Sequence, residues 1–120
     1  MEIYFYKNKE TGEFKMQIKP VEDENWVELK ANSTDAAVEK HLPVIEREGN
    51  KVVVTVGSTL HPMSEEHFIS HIILVTDKQC IMRNLKPGDE PKASFDLEEG
   101  EEIKEAYSYC NLHSLWVKKI

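Results

Sequence analysis

Lys51-Val52-Val53-Val54-Thr55-Val56 limits what this chain can become more than any other stretch. Consecutive β-branched residues lose rotamer freedom in a helix and fit a pleated surface, so the segment reads as a core strand. Val52, Val54 and Val56 lie on one face, and Gly57 closes it. Similar runs recur at intervals of about 8 to 12 residues, the spacing of an all-β sandwich. They are residues 68–76, 79–83 after an Asp77-Lys78 turn, 93–97, 103–109 and 115–117. The pattern predicts an antiparallel β-sandwich of about seven strands.

Ahead of it, residues 1–31 read as a small β segment of their own. Ile3-Tyr4-Phe5-Tyr6 and Phe14-Lys15-Met16-Gln17-Ile18 flank a turn through Gly12 as a hairpin, and Trp26-Val27-Glu28-Leu29 is a third short strand. Asn32-Ser33-Thr34-Asp35 offers N-cap chemistry and Ala36 to Lys40 one or two helical turns, which predicts a short helix in the 34–41 region, stopped by Pro43. The main domain is then 32–120.

The chain has 120 residues, enough for a single ordinary core. A formal net charge of -7 argues against a nucleic-acid partner, which needs clustered Lys and Arg. No apolar run of about 18 residues is present to span a membrane, and the N-terminus lacks a basic then apolar signal, so the expected location is cytoplasmic. Two cysteines in such a chain point to free thiols or ligands rather than a disulfide.

Those residue types cluster. Tyr109-Cys110-Asn111-Leu112-His113 sets a thiolate and an imidazole three positions apart, half of a metal site. His61-Pro62-Met63-Ser64-Glu65-Glu66-His67 and Glu39-Lys40-His41-Leu42-Pro43 supply the rest, giving His41, His61, His67, Cys110 and His113 as candidate ligands. His61 and His67 would be roughly 20 Å apart along a straight strand, so sharing an ion requires 61–67 to loop back. His71, Cys80, Met63 and Met82 read as packing residues. Glu65 and Glu66 read as solvated, and Glu98-Glu99-Gly100-Glu101-Glu102 as a wet acidic turn.

One thiolate with several imidazoles suits iron, copper or zinc and excludes magnesium and calcium. Five donors exceed the usual four of structural zinc and leave a sixth position vacant for reaction. Blue copper commonly adds a weak Met beyond the Cys-x-x-His turn, and Ser114 to Ile120 contains none. A cupredoxin-like electron carrier and an interaction module built on structural zinc remain as alternatives. Lys40 is suited to steering an anion toward such a site, and Glu39 to closing it after turnover.

Glu39-Lys40-His41-Leu42-Pro43, Gly57-Ser58 with His61-Pro62-Met63 and His67, Leu85-Lys86-Pro87-Gly88, and Tyr109-Cys110-Asn111-Leu112-His113 with Leu115-Trp116 resemble the superoxide reductases, the desulfoferrodoxin and neelaredoxin family. The resemblance runs from about Asn32 to Trp116. It implies an immunoglobulin-like sandwich holding one mononuclear iron through His41, His61, His67, His113 and Cys110. It also implies an enzyme that reduces superoxide to hydrogen peroxide, with Lys40 helping to protonate the substrate and Glu39 able to occupy the sixth position. A rubredoxin-like electron donor and a homo-oligomer, dimer or tetramer, are expected as partners. The chain departs from the family pattern in having no cysteine in residues 1–30 for a second iron, His71 where an aromatic is usual, and Ser114 where glycine is usual.

Overall fold

A computed structural model describes residues 2–120, which divide into two compact units that part between Ala31 and Asn32. In the first, β1 (Tyr4–Asn8) lies between β2 (Phe14–Gln17) and β3 (Trp26–Glu28) in an antiparallel sheet of order β2-β1-β3. Asn8 shapes the hairpin turn: its side-chain oxygen accepts the Glu10 and Thr11 N–H groups, leaving the chain to reverse through Gly12 at φ 75°. Phe5 stacks on Phe14 at 5.8 Å, and the Lys15 ammonium sits 3.7 Å from the centre of the Trp26 ring.

The second unit holds a single-turn helix α1 (Val38–His41) and seven strands: β4 (Pro43–Glu48), β5 (Lys51–Val56), β6 (Ile69–Thr76), β7 (Cys80–Asn84), β8 (Lys92–Asp96), β9 (Ile103–Cys110) and β10 (Ser114–Lys119). They form two antiparallel sheets, β4-β5-β8 and β10-β9-β6-β7, so the all-β sandwich expected from the sequence is the fold. Val52, Val54 and Val56 of β5 alternate inward and meet Ile69, Ile72 and Leu74 of β6 and Ala106 and Cys110 of β9, with Phe95 and Leu97 beside them. Complete burial of each large side chain contributes on the order of 1.5–3 kcal/mol. Cys110 belongs to this core, so one candidate ligand is anchored by hydrophobic packing.

The structure corrects three expectations. The short helix falls within 34–41 as a single turn, Val38–His41, but its N-cap is Ala37 with no side-chain cap. Asn32 is spent elsewhere: at φ 60° its amide exchanges bonds with the Val117 N–H and carbonyl, and its own N–H reaches the Leu115 carbonyl, tying it to the edge of β10. Strand β4 has no counterpart in the runs read from the sequence, because Glu46, Arg47 and Glu48 interrupt the apolar pattern. It is an edge strand with Pro43 at its first position, where such charges are usual.

Glu101 is the third. It is 1% exposed, and its carboxylate accepts bonds from the Thr76 hydroxyl, the Gln79 amide and the Glu98 N–H, joining the β6–β7 turn to the β8–β9 connection. A carboxylate with three donors can be buried where an unpaired one cannot.

Candidate metal centre

Each candidate ligand reaches one end of the sandwich by a different route. His41 ends α1, where the buried Ser108 hydroxyl of β9 donates to its carbonyl at 2.8 Å and the Trp116 ring stacks on its imidazole at 5.0 Å. His61 follows β5, its N–H donating to the Val56 carbonyl. The 61–67 segment does loop back. Ser64 and His67 exchange backbone bonds, the Met63 sulfur accepts the Ile69 N–H, and the Met63 carbonyl accepts the Gly88 N–H. The β6–β9 register shifts at Ser70, between Ile69 and His71, and Ile69 pairs with Cys110 beside the turn that follows it. His113 lies in that turn, its carbonyl accepting the Trp116 indole N–H at 3.0 Å.

The four imidazoles form a square. Ring centres are 4.6 Å apart for His41 and His61, 4.6 Å for His61 and His67, 5.1 Å for His67 and His113, and 4.8 Å for His113 and His41. The diagonal from His41 to His67 is 6.3 Å. Neighbouring rings stand at 76° to 89° and the diagonal pair at 32°. The ligand atoms of His41, His61, His67 and Cys110 all lie within 4.8 Å of one another. His113 Nδ1 is 3.0 Å from His41 Nε2 and 3.9 Å from Cys110 Sγ.

Protonation states follow from the hydrogen bonds. His41 Nδ1 is 2.7 Å from the Ala37 carbonyl and His61 Nδ1 is 2.6 Å from the Pro62 carbonyl, so both carry the proton on Nδ1. Both Nε2 atoms then present lone pairs, only 3.1 Å from each other. His67 Nε2 is buried without a partner. Acceptors crowded face to face are repulsive, and a cation among them removes the repulsion. Two nitrogens each about 2.1 Å from a shared ion and at right angles are about 3.0 Å apart. The observed 3.0 and 3.1 Å spacings fit that test.

Burial favours neutral imidazoles at His41, His61 and His67, as metal ligation requires: it pushes His61 down to about 4 and lowers His41 and His67, with the neighbouring imidazoles and Lys40 adding to it. Burial pushes the Cys110 thiol up, while the Leu112 and His113 N–H groups pull it back. A metal would displace that proton and inherit a thiolate already supplied with two donors.

Lys40 and Glu39 lie on α1 next to His41, both exposed. The Glu39 carbonyl accepts the Thr59 N–H and the Ser58 hydroxyl. His71 is on β6 with its ring edge to Tyr109, 6.1 Å between centres, and takes no place in the square. Ser108, Asn111 and Trp116 hold ligand-bearing segments; Asn111 and Trp116 stand in the motifs quoted above without a role of their own, and nothing in the spacing of the three betrays contacts made across the fold. No helix among the described residues is long and apolar enough to cross a membrane.

Comparison with known proteins agrees. The Desulfoferrodoxin family profile matches residues 33–119. A desulfoferrodoxin homolog of Archaeoglobus fulgidus is 50% identical over 88 residues, covering 73% of this chain and 69% of its own. The desulfoferrodoxin of Clostridium acetobutylicum is 42% identical over 120 residues, covering 97% and 94%. Among solved structures, the superoxide reductase of Treponema pallidum superposes with a TM-score of 0.86 at 33% identity, covering 99% of this chain and 100% of that one.

Proposed function

We propose, on the premise that this chain belongs to the desulfoferrodoxin family, that it is a superoxide reductase converting superoxide to hydrogen peroxide at one non-haem iron. The observation that carries this reading is the square of four imidazoles with a thiolate beside it. His41, His61, His67 and His113 would hold the iron through nitrogen and Cys110 through sulfur. Iron so held would supply the one-electron reduction of a small anion. A structural zinc would want a tetrahedron of four donors, and a blue-copper site two His and one Cys; four imidazoles in a square suit neither.

The remaining work falls to this chain's own residues. Superoxide takes up one electron and two protons to give hydrogen peroxide. Lys40, an exposed ammonium beside His41, offsets the chain's overall negative charge, draws the anion in, and holds a water that delivers protons. Glu39 carries a carboxylate on the same turn, able to cover the site between turnovers. The electron comes from an external one-electron protein donor of the rubredoxin kind, and the protein works in the cytoplasm as a homo-oligomer, dimer or tetramer. Residues 1–31, which carry no ligand, serve subunit contact. A protein beginning at Asn32 that kept the native assembly would count against that role.

The test is anaerobic loading with ferrous ion followed by pulsed superoxide. One hydrogen peroxide per superoxide, with no dioxygen released, is expected. Consumption no faster than spontaneous dismutation would overturn the assignment.

A further inference from the structure

Asn111 sits between two candidate ligands, and its side chain reaches the loop that carries a third. Its Oδ1 accepts the Phe68 N–H at 2.9 Å, its Nδ2 donates to the Glu66 carbonyl at 2.9 Å, and its backbone N–H donates to the Phe68 carbonyl at 3.2 Å. These bonds bracket His67 on both sides, across 43 to 45 residues of sequence. Of the four imidazoles, His67 has most need of this. The His41 and His61 rings are aimed by Nδ1 bonds to nearby carbonyls, and Trp116 stacks on His41 while holding the His113 carbonyl. Among the described residues no hydrogen bond reaches the His67 ring, whose Nε2 is buried and unpartnered. Its aim is therefore inherited from its backbone.

We propose that Asn111 is a positioning residue that keeps His67 in register with the Cys110–His113 turn and so completes the square. The inference rests on the metal-centre reading above, with His67 as a ligand. The chemistry is particular to a carboxamide, which offers one acceptor and one donor at fixed separation. Aspartate keeps the acceptor for Phe68 but turns an oxygen toward the Glu66 carbonyl, and alanine removes both bonds.

The test is ferrous-ion affinity under anaerobic competition with a chelator, measured on the whole chain for Asn111→Ala, Asn111→Asp, His67→Ala and the double variant His67→Ala/Asn111→Ala. Thermal unfolding of each metal-free protein is followed in parallel. Asn111→Ala is expected to weaken binding roughly 10- to 100-fold, the usual effect of losing a residue that orients a ligand. The double variant should bind no more weakly than His67→Ala alone, because the anchor then has nothing to hold. If Asn111→Ala fails to fold, Asn111→Asp carries the same cycle. Wild-type affinity in the Asn111 variants, or a loss that persists undiminished when His67 is already gone, overturns the proposal. If the unaltered protein binds no ferrous ion, or His67→Ala binds as tightly as it does, the metal-centre reading falls first and this inference with it.

Discussion

Ser114 holds a φ of 65°, in the left-handed region where a Cβ is strained. It follows the last candidate ligand directly, at a backbone conformation that glycine would adopt without strain. Ser114→Gly is expected to stabilise the protein by about 0.5–1 kcal/mol, the relief of strain being partly offset by the greater freedom of glycine when unfolded. Denaturant titration checks this, with unchanged ferrous affinity as the sign that the turn is kept. Lys40 acts through charge rather than shape. Lys40→Ala should slow the bimolecular reaction with superoxide several-fold to about tenfold at low salt, and much less near 0.5 M salt. A rate equally reduced at every ionic strength would show that steering is not its role. The candidate ligands that the fold brings together stood out in the sequence because histidine and cysteine are the side chains that bind such metals. The roles of Asn111 and Ser108 did not, since each residue works by meeting a backbone more than 40 residues away.

Among the elements, the β5–His61 connection shows how the site is set against the sandwich. Gly57 turns at φ 79°, and a Cβ there would fall against the Glu39 and Thr59 carbonyl oxygens and 2.7 Å from the Lys40 carbonyl carbon. Only the missing side chain lets α1 lie so close. Gly57→Ala should cost about 2 kcal/mol or more through strain and displacement of α1. It should also disturb the Lys40-dependent salt effect, read by unfolding and by the rate at low salt. Strands were legible where β-branched residues alternate, as in β5. They were hidden in β4, where an edge position tolerates charge, and α1 was legible as a short helix but its cap was not, because one helical turn is too short for propensity to decide where it starts.

At the scale of the whole molecule, Glu101 ties together the connections at 76–79 and 98–102. The Thr76 hydroxyl, then the Glu98 N–H and the Gln79 amide, hold its carboxyl below the usual carboxylate range. With the folded value depressed, the unfolded chain takes up a proton first as pH falls. The stability it lends is therefore whole above about pH 4.5 and drains away as pH drops through the folded value. Melting curves from pH 7 to pH 3 should show this loss in the unaltered protein. Glu101→Gln should start lower at neutral pH and decline less steeply; parallel profiles would refute the assignment. An acidic run in a turn reads as solvated unless the partners folded over it are known, and two of the three, Thr76 and Gln79, lie more than 20 residues upstream.

The carbonyls that aim His41 and His61 belong to Ala37 and Pro62, in the same short segments as the rings themselves. These two rings are thus oriented by their own neighbourhoods, and this half of the cradle can assemble before an ion arrives. A cradle filled late is open to competition, and on intrinsic affinity copper and zinc outrank ferrous ion even where the arrangement suits iron better. Overexpression in zinc-rich medium should therefore yield a folded but redox-silent product, read by metal analysis.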